Sequence, residues 1–497
     1  MDLQTMLSYP WGVMAPEFTI FIAAAILSIL DLALKEKVDR KMLNWLAIAA
    51  VVLALLFSLR QLGAPVQMIL YETYRLDSVS LSFKLLLLLG TLSVLVLSFD
   101  VKKEQISHRS EYIYLILTAL LGAMIMASSA DLLTLFVGLE LLSLSSYVLV
   151  GLKKTALRAN EAAFKYYVNG GVATAFTLFG MSYVYGLTGQ TNLFEIGAAL
   201  QQPAVAENLF LLVIAFVMMI GGLMFKIAGI PFHMWAPDVY DGAATPIAAF
   251  LSVVSKIAGF AMLLRIVFVI FASAPNATLN QPFLLDTQWF FIFLAATTIL
   301  VGNLLALKEY GMKRLFAYSS IAQAGYVLVP LAALTVLVFE NIWFYLFIYL
   351  LMNVGAFAII QVVLAHSKTE TIAAFAGLYQ RSPFLAMTMT GFLLSLAGIP
   401  LTAGFMGKYF IFVGALSSAN YFLAGVMVAG SVLSYVYYFR IVTQIFARPP
   451  ESEEVIQVPL GIRAVITVAI AAVIGLGLFP NLAFEFFFQY FQLGELL

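Results

Sequence analysis

Residues 218–231 read MMIGGLMFKIAGIP, and residues 397–413 read AGIPLTAGFMGKYFIFV. Each stretch places a proline, Pro231 or Pro400, inside an apolar run, with one lysine, Lys226 or Lys408, close by. Proline has no amide hydrogen, so Pro231 leaves the carbonyl of Ile227 without its helical partner, and Pro400 does the same to Leu396. Hydrocarbon offers no replacement donor, so carbonyls freed in a membrane helix need polar side chains or water from within the protein. Both stretches are therefore read as discontinuous helices, and a hydrated path beside them is the simplest supply.

The rest of the chain is of the same kind. Of 497 residues, 63% are hydrophobic and 10% are charged, against roughly 25% charged in soluble domains. That excludes a soluble enzyme, a nucleic-acid binder and a disordered chain. Cysteine is absent, which excludes disulfides and thiolate-ligated clusters. His108, His233 and His366 are too scattered for a haem pair or a helical zinc motif. No Gly-rich nucleotide loop occurs, so no cofactor or metal is expected in this chain.

A membrane helix needs about 20 mostly apolar residues. Fourteen such segments are read, at 17–34, 43–59, 79–99, 112–129, 132–151, 164–186, 209–235, 246–272, 288–307, 315–334, 342–365, 385–416, 420–446 and 462–482. The predicted fold class is an all-α polytopic membrane protein. Basic residues orient it, because cytoplasmic connections collect Lys and Arg. The connections after odd-numbered helices hold Lys35, Lys37, Arg40, Lys41, Lys102, Lys103, Arg109, Lys153, Lys154, Arg158, Lys308, Lys313, Arg314, Lys368, Arg381, Arg448 and Arg463, while the opposite loops hold Arg60 and Arg75. Both termini are thereby placed outside. Arg265 and Arg440, near helix ends, are read as snorkelling side chains.

Three weak self-matches recur in one order. Tyr147–Gly151 (YVLVG) pairs with Tyr326–Pro330 (YVLVP), Asn169-Gly170-Gly171 with Asn353-Val354-Gly355, and Ala228–Pro231 with Ala397–Pro400. They align helices 5, 6 and 7 with 10, 11 and 12 and predict two five-helix repeats, helices 4–8 and 9–13. Five is odd, so the second repeat is inverted, an arrangement that places ion sites near the bilayer midplane. The domain reading is three N-terminal helices over 1–110, a first repeat over 111–272, a second over 288–446, and a loop with a last helix over 447–497.

Four ionisable residues stand well inside apolar helices: Glu140, Lys226, Lys256 and Lys408. Left unpaired near the bilayer centre, each costs about 2.5–3.5 kcal/mol on insertion scales. Glu140 is expected to pair with Lys226 or Lys256. Lysine suits proton transfer because burial moves its pKa readily, whereas arginine stays charged. One carboxylate with three lysines favours protons over metal cations. Lys165, two residues into the predicted sixth helix, and His233, just past the first break, are weaker candidates, and Tyr318, Ser319, Ser320 and Tyr326 could order water. Asp131 reads as a helix cap, and Lys313 and Arg314 as interface anchors.

Four stretches together resemble the antiporter-like proton-translocating family: 138–151 (GLELLSLSSYVLVG), 231–246 (PFHMWAPDVYDGAATP), 313–326 (KRLFAYSSIAQAGY) and 397–410 (AGIPLTAGFMGKYF). The family includes the membrane subunits L, M and N of NADH:quinone oxidoreductase, respiratory complex I, and the D subunit of Mrp-type cation/proton antiporters. The motif at 233–242 and Lys408 itself are most similar to the N branch. The resemblance implies a pumping module without a redox centre, its essential charges at Glu140, Lys226, Lys256 and Lys408 and a further lysine at Lys165. It implies partners of the antiporter-like M type and the small A, J and K types, in the lipid bilayer of a bacterial cell membrane and with no nucleic acid. Gln323 departs from the pattern, since many relatives have His there. An Mrp-type antiporter subunit predicts NADH-independent cation/proton exchange. A non-conducting scaffold predicts lysines that tolerate neutral replacement.

Overall fold

The computed structural model describes residues 7–33, 41–101, 106, 108–202, 208–272, 274–276, 281–450, 452 and 454–491. Lys35, Lys37, Arg40, Lys102 and Lys103, used above for orientation, lie outside the described residues. The main helices are α1 (Ala15–Ala33), α2 (Lys41–Arg60), α3 (Ser78–Leu97), α4 (Arg109–Ser128), α5 (Leu132–Val150), α6 (Leu157–Thr188), α7 (Leu209–Ile227), the short α8 (Trp235–Gly242), α9 (Thr245–Arg265), α10 (Phe283–Ala306), α11 (Met312–Ala333), α12 (Val338–Ala365), α13 (Pro383–Ala397), α14 (Ala403–Ser417), α15 (Tyr421–Ala447) and α16 (Leu460–Leu478). Shorter helices, among them Leu193–Leu200 and Asn481–Tyr490, and two short hairpins accompany them, the first hairpin pairing Gln67–Ile69 with Tyr74–Leu76.

Among the described residues, twelve helices are long and apolar enough to cross a membrane. The predicted seventh and twelfth helices are indeed interrupted. The seventh ends at Ile227 and resumes as α8, and the twelfth divides into α13 and α14. The predicted sixth helix begins earlier than its apolar pattern, at Leu157, so Lys165 lies in its third turn instead of at its start. Polar residues at 157–161 hid that first turn from a hydropathy reading.

Local chemistry accounts for several helix starts. Asp131 caps α5, its Oδ1 accepting from Leu133 N at 2.9 Å and Thr134 N at 3.1 Å. Asp77 caps α3 through a reciprocal box with Ser80. Pro246 sits in the first turn of α9, where its missing donor costs nothing.

Burial sorts the helices into a centre and a rim. Every residue of α9 is buried, and α11 and α12 are nearly so. A helix that is apolar all round belongs inside. α1, α2 and α16 keep most of their surface free, as lipid-facing helices should. The three central helices hold Lys256, Ser320, Gln323 and Tyr345.

Candidate functional site

Both helix breaks close in the same way, one residue out of step. After α7, Ala228 is left-handed (φ 57), and Gly229 N donates to Met224 O at 2.7 Å. After α13, Gly398 is left-handed (φ 89), and Ile399 N donates to Leu394 O at 3.0 Å. These are Schellman-type ends. The left-handed residue is the first of the four-residue motif at Ala228 and the second at Gly398.

The carbonyl freed by Pro400 finds side-chain partners. Leu396 O accepts from Lys408 Nζ at 2.8 Å and from Gln323 Nε2 at 3.1 Å, and Ala397 O accepts from Lys408 at 3.2 Å. Lys408, on α14, thus reaches back to cap α13, a cation at the negative end of a helix dipole. Its ammonium also lies 4.5 Å from the centre of the Tyr326 ring. At the first break, the Trp235 indole donates to Phe225 O at 3.0 Å.

Lys256 lies near the middle of α9, fully buried. Its Nζ donates to the backbone carbonyl of Ser320 and, at 3.0 Å, to the Ser320 hydroxyl. Tyr240 OH is 3.4 Å from the same hydroxyl. Lys226 is 2% exposed, and its Nζ makes no hydrogen bond. Its backbone packs against Gly259, where an added Cβ would sit 3.0 Å from Lys226 Cβ. Gly259 is three residues beyond Lys256 and on the same helical face, so the two lysines occupy adjoining segments.

The direct pairing of Glu140 with a lysine is not formed. Glu140, half-buried on α5, accepts from Thr174 Oγ1 of α6 at 2.9 Å. α5 packs on α6 and α6 on α7, and the Glu140 carboxylate is bonded to α6 instead of to a lysine.

The weaker candidates fall elsewhere. His233 Nδ1 lies 3.3 Å from Pro231 O, a local contact within the break. Lys165 pairs with Glu161 and Asp238, each at 2.7 Å. Asp238 also binds Arg314 at 2.6 Å, and Arg314 binds Glu309 at 3.2 Å. Lys313, read as an anchor, is nearly buried and donates to Asp241 O at 2.6 Å. This charged group surrounds a cavity of about 820 Å³ whose lining includes Arg158, Asp238, Asp241, Glu309, Arg314 and Glu370. Tyr240, beside Asp241, joins the cavity wall to Ser320.

Burial pushes the Asp238 carboxyl up, but hydrogen bonds from Lys165 and Arg314 outweigh it and hold the group below its ordinary value. The bridge is therefore complete at neutral pH and opens only as the pH falls through that lowered value, below about 3.9. Asp238 joins α6 to α11, whereas Glu161 and Glu309 each serve one side. Asp238→Asn is expected to lower stability by about 0.2–1 kcal/mol, the range of a solvent-exposed ion pair. Melting temperatures of wild type and variant at pH 7 and pH 5 check this. The wild type should show no loss between the two that is traceable to this bridge.

Sequence reasoning missed two buried ion pairs. Arg265 does not snorkel. It is 1% exposed and binds Asp77 through both guanidinium nitrogens, at 2.9 and 3.0 Å. Glu17 and Lys84 pair at 2.6 Å, and Lys84 Nζ donates to Tyr74 OH at 2.7 Å. The signal was present in Asp77, an acid placed just before an apolar helix, but its partner is 188 residues away. Arg440 does reach a helix end, donating to Ala306 O and Glu309 O at 3.2 Å. Among the described residues, no group of three or more His, Asp or Glu is placed to hold a metal ion.

A family model described as NADH:quinone oxidoreductase/Mrp antiporter, TM, matches residues 129–434. A protein of Geobacillus sp. (strain WCH70) named NADH-quinone oxidoreductase subunit N is 51% identical over 490 residues, covering 98% of this chain and all of that one. One of the same name from Bacillus anthracis is 49% identical, covering 99% and 98%. A chain of respiratory complex I from Thermus thermophilus superposes with a TM-score of 0.78 at 34% identity, covering 94% of this chain and 98% of that chain. A chain of the Mrp complex from Dietzia sp. DQ12-45-1b, 21% identical, shares the fold with a TM-score of 0.81 over 96% of both chains.

Proposed function

The chain belongs to the NADH:quinone oxidoreductase/Mrp antiporter transmembrane family, and from that premise we propose how its buried charges move protons. It is a proton-translocating membrane subunit of an NADH:quinone oxidoreductase, of the N type, a translocase component working with other membrane subunits. The partners of the reading are an M-type antiporter-like subunit and small A-, J- and K-type subunits. The setting is a bacterial cell membrane with both termini outside. The quinone chemistry takes place elsewhere in the complex, and this chain receives its energy from neighbours.

In this reading the chain crosses the bilayer fourteen times. α6 and the broken pair α13–α14 join the twelve long apolar helices, and helices 4–8 and 9–13 form inverted repeats. The paired breaks with their displaced closures support the duplication.

The proton enters from the charged cavity, passes Tyr240 and Ser320, and is held at Lys256. Glu140, half-buried at the side, acts electrostatically on Lys226, whose ammonium has no bonded partner to hold it. A change of charge beside Glu140 therefore shifts Lys226 and then Lys256, a push that low local dielectric strengthens. The proton leaves through Lys408. The observation that carries the reading is that Lys256 and Lys408 both bond to groups tied to one helix, α11. Lys256 binds Ser320, and Lys408 shares the Leu396 carbonyl with Gln323, one turn along.

The test is the assembled complex in vesicles, with reductase turnover and proton uptake read together. Glu140→Ala, Lys226→Ala, Lys256→Ala and Lys408→Ala are each expected to lower pumping. Normal pumping in all four would defeat the charge-relay reading. Cation exchange without NADH would favour an Mrp-type subunit.

A further inference from the structure

Between Lys256 and Lys408 lies a seam that the relay above leaves unassigned. α11 and α12 are consecutive helices packed together, and they bring Ser320 and Gln323 opposite Tyr349 and Tyr345. Ser320 and Gln323 are three residues apart on one face, and Tyr345 and Tyr349 are four apart on the other, so each pair is stacked along its helix. Tyr345 OH donates to Gln323 Oε1. Its ring lies against Gly407, where an added Cβ would come within 2.6 Å of it. Gly407 is the residue before Lys408, so Tyr345 occupies the Lys408 end of the seam.

Tyr349 occupies the Lys256 end. It is 2% exposed, and its hydroxyl makes no hydrogen bond. Tyr345 and Gln323 bond across the seam, and α12 runs back along α11 after a short loop, so one turn further Tyr349 stands level with Ser320. A buried hydroxyl without a bonded partner is costly, and this one faces the groups that hold the Lys256 proton on one side and the Tyr345–Gln323 pair on the other. Gln323 cannot serve as an acid or base in the way an imidazole does, because its amide does not titrate. With Gln323 in the seam, the side chains there that can take up and release a proton are hydroxyl groups.

We propose that Tyr349 is a proton-relay residue, passing protons from the Lys256–Ser320 pair through Tyr345 to Lys408. In each transfer the phenol oxygen accepts a proton from the Ser320 side as its own proton leaves toward Tyr345, with a water molecule bridging any gap. One O–H bond forms and one breaks. The phenol is neutral before and after, and rotation about C–O resets it. The inference rests on the relay reading above and adds its middle step.

Tyr349→Phe removes the hydroxyl and little else. In the assembled complex it is expected to lower the protons pumped per NADH oxidised at least twofold. Tyr112→Phe removes another buried, unbonded hydroxyl, far along the chain on α4, and is expected to leave that ratio unchanged. Placing 2,3-difluorotyrosine at 349 keeps the size and the hydroxyl but makes the phenol more acidic. A relay then shows an altered pumping rate, whereas a merely structural hydroxyl shows none, and this measurement decides if Tyr349→Phe does not assemble. Normal pumping by Tyr349→Phe while Lys256→Ala and Lys408→Ala are impaired would overturn the Tyr349 step alone. Normal pumping by the lysine variants would overturn the reading beneath it.

Discussion

Lys408→Arg is expected to assemble normally and yet to lose proton pumping on the order of 100-fold, the scale on which enzymes lose rate when a positioned acid–base group is removed. The two properties separate because Lys408 does two things. Its ammonium donates to Leu396 O and Ala397 O, which keeps α13 capped inside the bilayer. It also carries the proton that must be released. A guanidinium can make the same carbonyl hydrogen bonds, but it does not give up its proton in proteins. Lys408→Ala removes both, so it loses pumping and also leaves Ala397 O without its side-chain donor and Leu396 O with Gln323 alone. NADH-driven proton uptake in vesicles, set beside the yield of intact complex, reads the two effects separately. If Lys408→Arg pumps at the wild-type ratio, Lys408 is a cap and nothing more.

The second large effect lies away from the proposed path. Asp77 and Arg265 are joined by two hydrogen bonds, both side chains are essentially without solvent contact, and Arg265 also donates to Ala127 O at 2.7 Å. One cluster thereby ties the start of α3, the end of α4 and the end of α9, the helix that carries Lys256. Asp77 also binds Arg75 at 3.1 Å, so removing Arg265 leaves Asp77 with Arg75 alone, whereas removing Asp77 leaves Arg265 as an unpaired buried charge, at about 3–5 kcal/mol. Set against a typical total stability of roughly 5–15 kcal/mol, that is a large share. Asp77→Asn and Arg265→Leu are each expected to lower the melting temperature of the purified complex or to prevent its accumulation. The double variant Asp77→Leu/Arg265→Leu should be more stable than Asp77→Leu alone, because it no longer buries the Arg265 charge without its carboxylate. Single variants that melt like wild type would show that this cluster does not hold the three helices together.

Much of the candidate site was readable because lipid makes polar groups expensive. Glu140, Lys226, Lys256 and Lys408 stand out from their apolar surroundings without any alignment, and Pro231 and Pro400 mark the two breaks. The reading was weaker where a cue was local but its partner was not. Arg265 sits near a helix end, which suits snorkelling, and only its neighbour from 188 residues away makes it a buried ion pair. Lys165 seemed to begin a helix because the polar turn from Leu157 to Glu161 carries no hydropathy signal.

The sequence by itself determined that the chain crosses a membrane, that two of its helices break, and that Glu140, Lys226, Lys256 and Lys408 stand inside apolar runs. Each of those follows from one-dimensional properties: apolar run length, proline's missing donor and the cost of a charge in hydrocarbon. Partnership was decided only by the tertiary structure. Helical periodicity limits which residues share a face, but it does not say which helix stands opposite. The packing gives Glu140 to Thr174 of α6, gives Lys256 to Ser320, turns Lys408 back onto the carbonyls of its own broken helix, and leaves the Tyr349 hydroxyl facing the gap between the two lysines.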